Sequence, residues 1–158
     1  MLSNPEILHV EPQHAMVIHV TIPASQVGQA MGEEFGEVYG YLASHRAQPG
    51  MPFSLYRERP GETISFDAGA FVNDAFPETD RIKAITIPGG RVVKAVHTGP
   101  YEALAESYAQ LEAWVAGASE SVGEAVWEVY LTDPEAEPDA SKWRTEIFWK
   151  LAEAVEGE

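Results

Sequence analysis

The apolar positions along the first half of the chain change period twice, and each change marks a predicted element. Residues 16–22 are rich in β-branched side chains and end at Pro23, a pattern typical of a strand. Residues 52–58 and 63–72 predict two further strands. Between the first strand and these two, apolar residues recur at the three- and four-residue steps of an amphipathic helix: Val27, Met31, Phe35, Val38 and Leu42. The first half therefore predicts the order βαββ.

The second half repeats this order. Residues 91–97, 124–131 and 143–151 predict strands, and residues 101–116 predict a helix after the first of them. The helix has one apolar face, formed by Leu104, Tyr108, Leu111 and Val115.

The two halves align on one another with nearly the same shift along the chain. Almost equal offsets place Val17 on Val93 and Tyr56 on Tyr130, which indicates an internal duplication. Each half alone offers a small core with open sheet edges, so we expect the halves to pack together. A seam between such halves is also where a ligand cavity forms most naturally.

The predicted domain organisation follows from this repeat. We expect residues 1–158 to form a single domain, because the chain is too short for two domains of ordinary size. Its halves are residues 15–72 and 90–151, and the proline-containing segment 73–89 is the expected linker between them.

The composition limits the classes of partner. The formal net charge is −15, from 25 acidic and 10 basic residues, and this repels phosphate backbones and anionic lipid surfaces. We therefore expect no direct nucleic-acid or membrane partner. The chain has no cysteine, no apolar run of the length that crosses a bilayer, and no signal-peptide pattern at its start, so the expected location is cytoplasmic.

The chain lacks the usual motifs for metals, phosphates and nucleophilic catalysis. Its five histidines show no paired spacing with carboxylates that would suggest zinc. There is no glycine-rich phosphate loop and no serine in a nucleophile elbow. We therefore predict no metal site and no cofactor, and we expect His97 to support the turn that follows it.

Three phrases of the sequence carry a family resemblance. They are residues 90–102, which include His97-Thr98-Gly99-Pro100-Tyr101, residues 127–134 and residues 144–148. In this order and spacing they resemble the GyrI-like small-molecule-binding domain, a gyrase-inhibitor-like family that also supplies the effector-binding domains of multidrug-responsive transcription activators. Residues 66–72 resemble the family's acidic, glycine-containing strand ending.

The resemblance implies a fold and a binding site. The implied fold is α+β, with duplicated βαββ (SH2-like) halves, pseudo-two-fold symmetry, an antiparallel sheet with helices on one side, and a central cavity at the seam. The cavity would be lined by aromatic residues. The glutamate of the last strand, Glu146 here, would lie in it and face lipophilic cationic ligands.

Two-residue alternation along the last two strands places the candidate side chains. Glu146 shares a face of its strand with Phe148, and Glu128 shares a face with Tyr130. If the two strands are antiparallel neighbours, Tyr130 can approach Glu146. An apolar cavity would raise the pKa of that carboxyl, and a bound lipophilic cation would compensate for its lost solvation.

The alternative for Glu146 is an ion pair with Arg144 or Lys150 on a solvated face of the sheet. The aromatic residues have an equally plain alternative, because such residues at helix and strand spacing are often simple core. The candidate pocket walls, beside Glu146 and Tyr130, are Tyr56, Tyr101, Tyr108, Trp114, Trp127 and Phe148.

Three functions follow from these observations. The first is stand-alone binding of hydrophobic, cationic or aromatic small molecules. The second is implied by the resemblance, because some members of the family look like hydrolases of cyclopropane-bearing electrophilic toxins; here Glu146 would act as general base and Tyr130 would orient the substrate. The third is an acidic interaction protein of the gyrase-inhibitor type, whose binding would weaken steeply with salt.

Overall fold

The computed structural model describes residues 2–23, 27–46, 50–56, 63–73, 76–87, 89–100, 103–132 and 136–152. Within these residues the chain is α+β, with two α-helices and eight strands. The elements in chain order are β1 (Glu6–Val10), β2 (Gln13–Pro23), α1 (Val27–Ser44), β3 (Pro52–Tyr56), β4 (Thr63–Phe71), β5 (Ile82–Ile87), β6 (Gly90–Thr98), α2 (Leu104–Gly117), β7 (Val122–Tyr130) and β8 (Arg144–Leu151).

The residues form two compact units. One unit, the C-terminal unit, combines Met1–Val10 with Gly90–Glu158. Its strands follow the order β1-β6-β8-β7, and all neighbouring strands in it are antiparallel. The other unit, the N-terminal unit, is Glu11–Gly89. Its strands follow the order β5-β2-β4-β3 and are also antiparallel.

β1 and β5 each lie at one edge of the sheet of their own unit, and β1 is the one that pairs across the two halves of the sequence. β1 precedes β2 in the chain, yet it pairs with β6, with Ile7 opposite Val93. β5 follows β4 in the chain and pairs with β2 of the same contiguous unit, with Ile85 opposite Ala15. Each unit therefore completes its sheet with a strand that lies, in the sequence, just before the other βαββ segment.

The structure contains every helix and strand that the pattern predicts, and it adds β1 and β5. The segment 73–89, expected as a linker, contains β5, which belongs to the sheet of the N-terminal unit. Both added strands pair with partners far away along the chain. Their hydrogen bonds come from these distant partners, and periodicity within a short window does not report such pairing.

Helix α2 covers one face of the sheet of the C-terminal unit. Leu111 and Val115 are fully buried on the helix and pack with Val93 of β6 and Ile147 of β8. Apolar burial of this kind stabilises the unit, and truncation of one such leucine to alanine typically costs about 2–5 kcal/mol. The opposite face of the same strands is therefore the one that α2 leaves uncovered.

None of the helical segments that the structure describes is both long enough and apolar enough to pass through a lipid bilayer.

Candidate functional site

The C-terminal unit carries a carboxylate on each face of its sheet. Along β8, Thr145, Ile147 and Trp149 point to the side of α2, and Glu146 and Phe148 point away from it. We call the two sides the α2 face and the open face. Side chains on opposite faces cannot combine in one site, so the two faces are two separate candidate sites.

On the open face, an aromatic pair lies beside Glu146. Trp127 of β7 stands directly opposite Phe148 of β8. Their rings stack with centroids 5.6 Å apart and an interplanar angle of 11°. Trp127 is buried, and Phe148 is half-buried. The stack lies next to the carboxylate in the sheet register, and Phe148 is its partly exposed ring.

The Glu146 carboxylate is ion-paired on this face. Its Oε2 lies 3.1 Å from Nζ of Lys94, and the side chains of Lys94 and Glu146 are 29% and 20% exposed. The same Nζ lies 5.8 Å from the centroid of the Phe148 ring. An ion pair was the alternative expected for Glu146, but its partner here comes from β6 and not from Arg144 or Lys150 of its own strand.

On the α2 face, Glu128 is the buried carboxyl group, with 5% of its surface exposed. Tyr108 of α2 donates a hydrogen bond of 2.5 Å to Oε2, and Tyr130 donates one of 2.8 Å to Oε1. Burial raises the pKa of the Glu128 carboxyl, and the two phenol donors oppose this shift. The Tyr108 ring also packs edge-on against Trp149, at a centroid distance of 5.6 Å.

Tyr130 and Glu146 do not meet. In the register of β7 and β8, Tyr130 stands opposite Thr145, and Glu146 stands opposite Val129. Tyr130 therefore lies on the α2 face and Glu146 on the open face, so the expected approach of the two is wrong. The alternation of β7 had already placed Tyr130 with Glu128, which is its actual partner.

His97 and its neighbours complete the polar groups of the α2 face. Nε2 lies 3.1 Å from the carbonyl oxygen of Pro100, which can only accept, so Nε2 carries the proton. Nδ1 then accepts from the hydroxyl of Ser107 at 2.6 Å. His97 thus ties the turn to α2, in agreement with the role expected for it. Gly99 in this turn has φ +136, a conformation that favours glycine.

Thr145 is the one described residue with a buried side-chain polar atom for which no hydrogen-bond partner is found. It stands between His97 of β6 and Tyr130 of β7 in the sheet register. A hydroxyl of this kind is the first place to look for a bound water molecule.

Two of the remaining predicted site residues, Tyr108 and Trp114, lie on α2. Tyr108 contacts Glu128, and Trp114 is 37% exposed. Tyr56 is buried in the N-terminal unit, where its ring lies 5.6 Å from that of Phe66. Tyr101 lies outside the described residues.

The N-terminal unit also holds a carboxylate on β4, within residues 66–72 of the family resemblance, to which the sequence analysis gave no site role. Asp67 of β4 is 3% exposed, and its Oδ1 lies 2.8 Å from Nδ1 of His19, which stands directly opposite on β2. Only the register of the two strands reveals this pair. Among the described residues, no three histidine, aspartate or glutamate side chains are grouped closely enough to hold a metal ion.

Comparison with known proteins gives a family match across nearly the whole chain. A sequence model described as the GyrI-like small molecule binding domain matches residues 3–152. No match was found among curated proteins.

Solved structures share the fold. The C-terminal domain of EcmrR has a TM-score of 0.81 and 20% identity, over 98% of this chain and 100% of that domain. The EcmrR chain in a DNA complex has a TM-score of 0.78 and 19% identity, over 96% of this chain. This chain spans 58% of the length of that EcmrR chain.

Two further structures of the same fold carry different descriptions. A hydrolase from Listeria innocua has a TM-score of 0.70 and 14% identity, over 94% of this chain and 92% of that one. SAV2435 bound to tetraphenylphosphonium has a TM-score of 0.63 and 13% identity, over 94% of each chain. At these identities the likeness establishes the fold.

Proposed function

Because the chain belongs to the GyrI-like small molecule binding domain family, we propose that it binds hydrophobic aromatic or cationic small molecules on the open face of the C-terminal unit. The proposed contacts are the aromatic pair Trp127 and Phe148 together with the Glu146 carboxylate. Of the other predicted ligand contacts, Tyr56, Tyr101 and Trp114 stay predictions. Tyr108 and Tyr130 are reassigned to the support of Glu128.

The observation that carries the proposal is a half-buried carboxylate beside a flat aromatic stack on one sheet face. A lipophilic cation gains from both groups, because an aromatic face attracts positive charge and a poorly solvated carboxylate favours a counter-ion. The fold neighbour SAV2435, bound to tetraphenylphosphonium, supplies a probe of suitable chemistry. The shared order of strands in the two units supports an internal duplication, which we include in the proposal.

The test is a tryptophan-fluorescence titration with tetraphenylphosphonium and with neutral triphenylphosphine oxide. Trp127 provides the signal, since a ligand that packs on the stack changes the surroundings of its indole ring. We expect saturable quenching by the cation that is weakened at least tenfold in Glu146→Gln. Glu106→Gln is the matched control, because it removes the same charge from an exposed position on α2.

Each possible result has a definite meaning. Equal losses in Glu146→Gln and Glu106→Gln would show that overall charge, and not the open face, attracts the cation. Absence of saturable binding of either compound to any of the three proteins would overturn the proposal. It would then favour the hypothesis of an acidic interaction protein, whose binding to a basic partner falls steeply with salt.

A second candidate function is hydrolysis, and the cluster of Tyr108, Glu128 and Tyr130 favours it. A carboxyl with a raised pKa between two phenols is typical of a general acid–base group. In the ring opening of an activated cyclopropane, Glu128 would take a proton from water as the hydroxyl oxygen bonds to ring carbon. The ring carbon–carbon bond breaks, and the proton passes to the carbon that leaves.

This candidate is tested by product analysis with a cyclopropane-bearing electrophile. Turnover that is lost in Glu128→Gln and kept in Glu146→Gln would support hydrolysis at the α2 face. Turnover that is kept in Glu128→Gln and lost in Glu146→Gln would instead identify Glu146 as the general base. No turnover above the rate in buffer would remove the hydrolase hypothesis and leave the binding proposal unaffected.

A further inference from the structure

We propose that Lys94 is a tethered competitor for the cation position on the open face, and that it sets the charge preference of the ligand. This inference rests on the proposed function, since it describes the same surface. It goes further because it assigns a role to Lys94, to which neither the sequence pattern nor the family match gives one.

The geometry places the lysine ammonium where a ligand cation would be expected. Nζ of Lys94 lies 3.1 Å from the carboxylate of Glu146 and 5.8 Å from the ring centroid of Phe148. An aromatic face and a carboxylate around one positive charge are the two elements of a site for an organic cation. In this protein both are already occupied by the protein's own side chain.

The sheet register explains why Lys94 reaches this position. Lys94 stands opposite Phe148, and Glu146 stands opposite Val96, so lysine and glutamate are diagonal neighbours on adjacent strands. Such neighbours are within reach of long side chains. Lys94 keeps 29% of its side chain exposed, so its flexible stem can carry the ammonium back into water without a change in the backbone.

The competition has a direct consequence for selectivity. A ligand cation can reach Glu146 only after the ion pair with Lys94 breaks, whereas a neutral aromatic ligand can pack on the stack of Trp127 and Phe148 with the pair intact. The lysine therefore lowers the affinity for cations and leaves the affinity for neutral aromatic compounds almost unchanged. The open face therefore favours neutral aromatic ligands over cationic ones.

The first experiment measures the affinity of Lys94→Met for tetraphenylphosphonium and triphenylphosphine oxide. Lys150→Met is the matched control, because it removes the same charge from the same face of the sheet. Lys150 lies on β8, two residues after Phe148, and stands opposite Val92 of β6. We expect Lys94→Met to bind the cation roughly two- to fivefold more tightly than the wild type, the range set by a partly exposed ion pair. Both variants should bind the neutral compound within about twofold of the wild type.

The second experiment follows Lys94 in the unaltered protein and does not depend on the folding of a variant. The wild type is treated with a limiting amount of an amine-acetylating reagent, with and without tetraphenylphosphonium, and the modification of each lysine is read by mass spectrometry. Displacement by the cation should raise the reactivity of Lys94 at least twofold, while that of Lys83, an exposed lysine of the N-terminal unit, stays constant.

The outcomes separate this inference from the proposed function. Equal gains in Lys94→Met and Lys150→Met would reduce the effect to net charge and overturn the competitor role. Weaker binding in Lys94→Met, or protection of Lys94 by the cation, would make the lysine a ligand contact and also overturn it. In all these cases the open face still binds ligand. Absence of binding to the wild type and to Lys94→Met alike would overturn the proposed function together with the inference.

Discussion

Glu128 and Glu146 lie on opposite faces of the C-terminal sheet, and their surroundings differ. Glu128 on the α2 face is buried and accepts hydrogen bonds from two phenols, and burial raises its pKa. Glu146 on the open face is half-buried and paired with the ammonium of Lys94. A carboxylate beside aromatic residues is therefore not by itself a cation site. What decides is whether a helix or only a displaceable side chain covers it.

The largest expected effect concerns folding stability. Glu128→Ala should lower the free energy of unfolding by about 3 kcal/mol, because it leaves a cavity and deprives Tyr130 of its acceptor in a buried position. Urea denaturation measures this change. Glu146→Ala, measured in parallel, should cost less than half as much. If Glu128→Ala and Glu146→Ala lose the same free energy of unfolding, the two glutamates do not differ in their contribution to stability.

The next effect isolates the hydrogen bonds of Glu128. Tyr130→Phe should lower stability by about 1–2 kcal/mol, since it removes one donor to the buried carboxyl. The same change in a Glu128→Gln background is the control, as it reports the coupling between the two groups. A coupling energy near zero would mean that the 2.8 Å contact contributes nothing to stability.

The dependence of stability on pH sharpens the comparison further. The folded-state pKa of Glu128 is raised, so above the ordinary carboxyl pKa the native state holds more protons than the unfolded state. The contribution of Glu128 to stability is therefore greatest at low pH and falls as pH rises from the ordinary value to the folded value. Glu128→Gln should remove this fall, which is measured as the difference between the stability curves of wild type and variant from pH 4 to 8. If the stability curves of the wild type and of Glu128→Gln are parallel over this pH range, Glu128 does not cause the fall in stability.

The smallest effect is that of salt on the ion pair of the open face. Glu146→Gln should change the free energy of unfolding by less than about 1 kcal/mol, because both partners remain partly solvated. The difference from the wild type should shrink further between 0.05 and 0.5 M sodium chloride, as screening weakens the pair. A loss that is larger and insensitive to salt would show that Glu146 is as structural as Glu128.

The helices and the six strands of the two βαββ segments were predictable from sequence because their signals are local. The apolar face of α2, with Leu111 and Val115, is visible in the sequence within a few helical turns. β1 was not predictable, since it depends on pairing with β6, and β5 was hidden between prolines in a segment that looks like a linker. Short strands stabilised by remote partners leave little trace in their own residues.

The candidate site was predictable in part. Alternation placed Glu128 with Tyr130 and Glu146 with Phe148 on their respective strands. It left open which face α2 covers, and it could not reveal that Lys94 of β6 reaches Glu146. That contact depends on the register of β6 and β8 and on the length of the lysine side chain, and neither is encoded in the residues near Glu146. The contact between His19 and Asp67 likewise depends on strand register, here that of β2 and β4.

The pairing of β1 with β6 has a consequence for biosynthesis and for cutting the protein. As the chain leaves the ribosome, β1 has no sheet partner until β6 has been made, so it waits unpaired while the strands of the N-terminal unit are synthesised. A fragment beginning at Gly90 would lack its edge strand β1, whereas Glu11–Gly89 contains every strand of its own sheet. For the C-terminal unit, the chain achieves within one molecule what strand exchange between two subunits achieves in a swapped dimer.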